Sequence, residues 1–267
     1  FLENGDECNK FQSGCNKCPQ LNSLNIFNIS NKIFEKKKKI IEKHKPKILL
    51  ENNFTKRIYD RSPITKNARN ETVYLTVNKE RTNSIKKQEG RKILNISDED
   101  KVILFGTYNL DAPHKGGRIL EDVLKRFVSI LHKKKIHKAN LNKIKLITFG
   151  RKHSFKIDIS EIEWIHLKEI VDDKKLNLLY RSVDVYVSPS TGCNGPATVR
   201  EAVVNDLPVV AFNQGEAEET VINGVNGYLV PCFDKESFAN SIFKTLFLNE
   251  LVDKENKQEM LKSRYDP

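Results

Sequence analysis

From Lys101 onward, short apolar runs alternate with amphipathic stretches, and this alternation restricts the fold more than any other feature of the chain. The runs Val102–Phe105, Leu146–Phe149, Val183–Val187, Val209–Phe212 and Tyr228–Val230 read as strands. Between the first two, Ile119, Leu120, Val123, Leu124, Phe127, Ile130 and Leu131 recur on one face of a helix. The next connection holds a short strand, Trp164–Leu167, and a helix from about Asp173 to Arg181. Further helices follow Pro196, Gly215 and Asp234, the last with Phe238, Ile242 and Leu246 at helical spacing. Strands alternating with helices predict an α/β fold with one Rossmann-like parallel sheet covered by helices. No internal repeat is visible.

The first hundred residues are less regular. Residues 1–21 are Cys-rich and loop-like, and 22–46 read as a short linker followed by a basic helix. In that helix Ile33, Phe34, Ile40 and Ile41 recur at helical spacing, so the run Lys36 to Lys39 forms a solvated face. Residues 47–95 contain a candidate strand, Thr72–Val77, and then a polar stretch that serves as a linker. The formal charge of +11 suits nucleic acid, an anionic membrane surface or a phosphorylated ligand. The lysines travel with Asn and Ile and no aromatics are interleaved with them, so nucleic acid is not an expected partner. Hydrophobic residues make up 38% of the chain, enough for an ordinary core, and no run approaches the ~18–20 apolar residues that span a bilayer. The expected location is the cytoplasm, with peripheral contact at the inner, anionic face of the membrane. Met260 is the only methionine, so a chain opening on Phe1 reads as a fragment.

In open parallel sheets the ligand lies beyond the carboxyl ends of the strands, which directs attention to the loops after Phe105, Phe149, Val187 and Phe212. The first loop runs from Gly106 and Thr107 to Lys115, Gly116 and Gly117 and leads into a helix. Small residues admit close backbone approach, a helix start presents unpaired N–H groups, and Lys115 adds a charge beside them, a combination suited to phosphate. Gly-Gly before a helix is equally a plain turn. In the third loop Pro196 fits the first helical turn, so the N–H groups of Ala197 and Thr198 point out of the helix start as a second anion site. Glu201 lies a little over one turn further in, where a carboxylate can accept both hydroxyls of a ribose; the bland alternative is a solvated helical glutamate. In the fourth loop Glu216, Glu218 and Glu219 are explained by helix capping alone.

Taken in order, these segments resemble glycosyltransferase family 4 over roughly Lys101 to Leu246. The matching residues are Phe105-Gly106 with Lys115-Gly116, Leu179-Tyr180 through Asp184 to Pro189-Ser190, Asn194-Gly195-Pro196, Glu201-Ala202 with Leu207-Pro208, and Gly224 with Gly227. The segment Gly14-Cys15-Asn-Lys-Cys18-Pro19-Gln20-Leu21 is similar to a subgroup that builds cell-surface or exported polysaccharides. The resemblance implies the C-terminal domain of a two-Rossmann-domain (GT-B) enzyme at 96–250, a remnant of the N-terminal domain at 1–95, and a tail at 251–267. It implies a nucleotide-diphosphate sugar as donor, retention at the anomeric carbon, a glycan or lipid-linked acceptor and no required cofactor. Lys115 corresponds to the diphosphate-binding lysine and Glu201 to the ribose-binding carboxylate, the two residues expected to carry catalysis. The turn Cys193, Asn194, Gly195, Pro196, Ala197 and Thr198 corresponds to the segment beneath the donor phosphates and sugar, with Gly106, Thr107, Gly116, Gly150 and Lys168 completing the nucleotide contacts. Cys193 stands where the family has its first acidic residue, and Thr107 where many relatives have an arginine. These departures motivate the alternative of a degenerate nucleotide-binding or scaffold domain.

Cys8, Cys15 and Cys18 form C-x6-C-x2-C, the last pair at zinc-knuckle spacing. A closed structural zinc site needs four ligands, so structural zinc, a disulfide and free thiols all remain readings of this segment. Cys232 is expected to be packed in the core.

Overall fold

A computed structural model defines residues 8–21, 29–73, 86–136, 143–152, 154–192, 197–248 and 250–251. The chain divides into two compact units, one comprising Phe1–Thr76 with Gly192–Asn194 and the other Val77–Thr191 with Gly195–Pro267.

In the first unit α1 (Ile29–His44) is followed by β1 (Ile48–Leu50), α2 (Asn53–Arg61) and β2 (Asn70–Thr72), and the two short strands pair in parallel. The expected strand Thr72–Val77 is thus β2 shifted toward the N-terminus, and its end lies outside the described residues. Only one of the two apolar rows of α1 is covered. Phe34 is buried and Ile41 half-buried, whereas Ile33 and Ile40, about 100° around the helix, are exposed. The Cys-rich loop is tied to the start of α1, where Ser30 Oγ donates to the Cys15 carbonyl at 2.6 Å and Asn31 Nδ2 donates to the Gly14 carbonyl at 2.9 Å. Cys8, Cys15 and Cys18 are half-buried thiols not joined by a disulfide. Among the described residues no group of three His, Cys, Asp or Glu side chains is arranged to hold a metal ion, so the structural-zinc expectation is not supported. Three thiols fall one ligand short of a closed site.

The second unit is built on six parallel strands in the order β5-β4-β3-β6-β7-β8, comprising β3 (Lys101–Asn109), β4 (Ile144–Arg151), β5 (Glu163–Leu167), β6 (Val185–Ser188), β7 (Val209–Phe212) and β8 (Gly227–Val230). Alternate side chains of these strands enter two separate cores. Ile103, Phe105, Val185, Val187, Val210 and Phe212 pack on the face of α4 (Gly117–Lys133) and α8 (Lys235–Phe243). Val102, Leu104, Tyr186, Val209 and Ala211 pack with Leu179 and Tyr180 of α5 (Asp173–Ser182) and with Val199 and Ala202 of α6 (Ala197–Val204). A short α7 (Glu216–Thr220) follows β7. This is the α/β Rossmann-like architecture that the alternation predicts. Among the described residues no helix is long and apolar enough to cross a membrane.

Three local readings change. The third strand starts at Val185 rather than Val183, because Val183 ends α5 and Asp184 is used as an anchor. Cys232, expected in the core, is exposed. The polar stretch taken as linker contains a helix, α3 (Lys87–Ile93), that packs against α5, where Gly90 lies so close that a Cβ would fall 2.2 Å from Ser182 Oγ. Its Arg91 is only 3% exposed. Arg91 donates to the Ser182 carbonyl at 3.0 Å, the Ser97 carbonyl at 2.8 Å and Asp184 Oδ2 at 2.7 Å, while the same Asp184 oxygen accepts the Val102 N–H at 2.7 Å. One guanidinium thereby joins α3 to the starts of β3 and β6.

Asp184 is also held by Lys87, so losing the buried Arg91 chiefly takes the donor from the Ser182, Ser97 and Asp100 carbonyls. Arg91→Ala is expected to lower the unfolding free energy by about 3 kcal/mol in urea titrations, whereas Lys56→Ala, which breaks an exposed pair with Asp60, changes it by less than about 0.5 kcal/mol.

Candidate functional site

The sheet reverses its direction of winding between β3 and β6, since β3 is followed outward by β4 and β5 while β6 is followed by β7 and β8 on the other side. In open parallel sheets the crevice at the carboxyl ends of such a pair is where ligands lie. The loops that leave β3 and β6 are joined there. The Thr191 N–H donates to the His114 carbonyl at 3.0 Å. Gly116, in the left-handed region at φ 79°, has no Cβ because one would fall 2.0 Å from the Pro189 carbonyl oxygen. Pro113–Lys115 forms a single tight turn, and α4 begins immediately afterwards. Lys115 is half-buried and has no carboxylate partner among the described residues. Burial, helped by the charge of Lys115, holds His114 below the usual imidazole range.

Gly106 and Thr198 are brought together by Tyr186. The Tyr186 hydroxyl lies 2.8 Å from the Gly106 carbonyl and 2.6 Å from Thr198 Oγ1. Ala197 and Thr198 open α6, so their N–H groups have no intrahelical acceptor. Glu201 follows on the same helix, half-buried, with Oε2 accepting from the Tyr180 hydroxyl at 2.9 Å. Its second oxygen has no hydrogen-bond partner among the described residues. Burial, the largest influence, raises the Glu201 carboxyl above its ordinary range, with Asp173 adding to the rise and the Tyr180 bond and Arg200 opposing it.

Other expected site residues stand differently. Thr107 is buried, and Gly150 at φ 120° allows the Thr107 carbonyl to approach where a Cβ would be 1.7 Å away, so backbone packing accounts for that glycine. Lys168 is exposed, one residue past β5. Cys193, Asn194, Gly195 and Pro196 lie outside the described residues. In the fourth loop Glu216 accepts from Arg200 Nε at 2.8 Å and Thr220 Oγ1 at 3.0 Å, which ties α6 to α7. A hollow of about 280 Å³ among Lys87, Lys101, Asp184 and Pro208 lies at the amino ends of the strands, the edge that open sheets do not use for ligands.

The sequence reading missed Tyr180, Tyr186 and Thr191 as site residues. A signal existed for the tyrosines: a phenol inside an apolar strand or helix face must find a partner for its hydroxyl. Thr191 is 2% exposed, and its Oγ1 has no hydrogen-bond partner among the described residues. A buried hydroxyl without a partner is rare enough to mark the loop.

The family model described as "Glycosyl transferases group 1" matches residues 101–246, more than half of the chain. The chain belongs to the group 1 glycosyltransferases. No curated protein sequence matches it. Sucrose-phosphate synthase (tll1590) from Thermosynechococcus elongatus is similar over 82% of this glycosyltransferase and 57% of its own chain, at 19% identity and a TM-score of 0.58. Anabaena Alr3699/HepE in complex with UDP and glucose is similar over 82% and 58%, at 18% identity and 0.58. A mutant of S. aureus TarM in complex with Fondaparinux, alpha-GlcNAc-glycerol and UDP is similar over 94% and 46%, at 16% identity and 0.62. At these identities the likeness is one of fold, that of GT-B C-terminal domains. The glycosyltransferase chain spans 46% to 58% of the length of those structures.

Gly116 and Gly224 separate backbone strain from close approach, since both have positive φ but nothing lies within 4 Å of a Cβ at Gly224. Gly224→Ala is expected to cost about 1 kcal/mol, and Gly116→Ala at least about 2 kcal/mol more because the Pro189 backbone must move. Parallel urea titrations of the two variants read the difference.

Proposed function

We propose that this group 1 glycosyltransferase holds a nucleotide-diphosphate sugar between the turn at Pro113–Lys115 and the start of α6, and transfers the sugar with retention to a glycan or lipid-linked acceptor. The observation that supports the reading is the Thr191 N–H bond to the His114 carbonyl, which joins the loop after β6 to the turn carrying Lys115, a lysine without a carboxylate partner among the described residues. Lys115 and the N–H groups of Ala197 and Thr198 at the start of α6 then face the charge that develops on the departing diphosphate. Stabilising that charge is electrostatic catalysis and requires no proton donor from the protein. Glu201, with one oxygen held by Tyr180, offers the other to the ribose hydroxyls. The UDP and UDP-glucose named for Alr3699/HepE support a uridine nucleotide as the first donor to try. We assign the chain to family 4, with the polysaccharide-building subgroup supported by Gly14-Cys15 to Leu21.

A second reading, a nucleotide-binding scaffold without catalysis, is favoured by Cys193 in place of an acidic residue. It keeps UDP binding and removes transfer. Cys193→Glu in the whole protein separates the two, since a clear gain of transferase activity identifies the missing carboxylate as the defect and an unchanged null rate leaves a scaffold.

Isothermal titration with UDP tests the site directly, and Lys115→Ala is expected to weaken UDP by about tenfold while changing uridine little. A folded chain that takes up no UDP contradicts the proposal. Uridine also reports Glu201. The ionised carboxylate is the form that accepts both hydroxyls, and burial raises its pKa. Uridine affinity is therefore complete near neutral pH and declines as the pH falls, sooner than an ordinary glutamate would titrate. Glu201→Gln should weaken uridine binding and flatten that profile, whereas a slope that persists in the variant assigns it to another group.

A further inference from the structure

We infer that Tyr180 and Tyr186 are positioning residues for the nucleotide, Tyr180 by orienting Glu201 toward the ribose and Tyr186 by setting the start of α6 against the end of β3 for the diphosphate. This inference rests on the donor-site reading above and assigns each half of that site to one buried phenol.

Tyr180 is 0% exposed and Tyr186 is 1% exposed, and their rings meet edge-on with centroids 6.0 Å apart. Tyr180 also meets Phe149 edge-on at 6.3 Å. Phenylalanine would fill both places equally well as far as packing is concerned. The hydroxyls are what distinguish tyrosine here, and each reaches a residue on α6.

A phenol has one proton. The Gly106 carbonyl can only accept, so the Tyr186 proton goes to it, and the 2.6 Å contact with Thr198 Oγ1 is completed by the threonine donating to the phenol oxygen. The Thr198 hydroxyl is thereby turned inward toward the sheet, in the first turn of α6, where backbone N–H groups have no intrahelical acceptor. The Tyr186 side chain thus links Gly106 of β3 to the first turn of α6, the two places from which the diphosphate would be held.

Tyr180 does the same for the ribose half. Its hydroxyl donates to one Glu201 oxygen at 2.9 Å, which holds the long glutamate in one rotamer and leaves the second oxygen available. Burial, the largest cause, pushes the Tyr180 phenol well above its ordinary range, so it stays a donor at every pH of interest. Ordering Glu201 before the ligand arrives removes a rotamer entropy that binding would otherwise oppose.

The test uses Tyr180→Phe and Tyr186→Phe in the full chain, titrated with UDP, with uridine and with 2′,3′-dideoxyuridine diphosphate. Tyr180→Phe is expected to weaken UDP about tenfold and leave the dideoxy analogue unchanged, because only the diol reads Glu201. Tyr186→Phe is expected to reduce the preference for UDP over uridine about tenfold with uridine itself unchanged. Losses that are equal across all three ligands mean that the phenols serve packing alone, and they overturn the inference while leaving the donor site standing. Failure of the native folded chain to bind UDP overturns the donor site and this inference together. Thr198→Val removes the same bond from a half-buried position should Tyr186→Phe fold poorly, and Thr198→Ser should restore it. A Thr198→Val protein with the native preference for UDP also overturns the role of Tyr186.

Discussion

The seam between β3 and β6 is the place where the sheet changes its direction of winding, and it is also the most sparsely paired junction on which the site depends. Only Ile103 with Val185 and Leu104 with Tyr186 stand in register there, against the long ladder that β3 shares with β4. Side chains supply what the short ladder does not. At the amino end Asp184 accepts the Val102 N–H and is held by Arg91, and at the carboxyl end the Tyr186 hydroxyl bonds the Gly106 carbonyl. The crevice opens because the chain leaves these two strands in opposite directions, and it keeps its shape because both ends of the seam are pinned.

The chemistry that follows is modest in its demands. The structure places no constellation of general acid and base at the seam among the described residues. The loops after β3 and β6 meet where Gly116 lies under Pro189, the first of them carries Lys115, and α6 carries a carboxylate with one oxygen held by Tyr180. Such a set suits a ligand with negative charge at one end and a diol at the other. Field and pre-orientation, rather than proton transfer, are what this arrangement can supply. The same economy explains the aromatic content of the second core, where Phe149, Tyr180 and Tyr186 pack edge to edge beneath the site.

Several readings failed where a local pattern had two structural outcomes. The polar residues of α3 resemble a linker because only Gly90 and Arg91 are buried, one as a gap for Ser182 and the other as a charged anchor, and neither adds an apolar period. In α1 the apolar spacing was visible, but four apolar positions make two rows on a helix and the fold covers only one. The cysteine spacing suggested a metal ligand set, yet spacing carries no information about a fourth ligand. Gly150 was read as a nucleotide contact, and the structure adds a packing reason for it that the sequence did not show, the irregular pairing after Gly106 that presses the Thr107 carbonyl against it.

By itself the sequence determined the α/β class and the strands and helices from Lys101 onward, because apolar periodicity is a direct consequence of which faces must be buried. It also carried Lys115, Gly116, Thr198 and Glu201 in a recognisable order. Only the tertiary structure decided that His114 meets Thr191, that Gly116 lies under Pro189, and that two buried phenols serve α6. These are contacts between residues 12 or more positions apart, and no local pattern encodes a partner at that range. They follow from strand order, which depends on how the whole sheet closes its two cores.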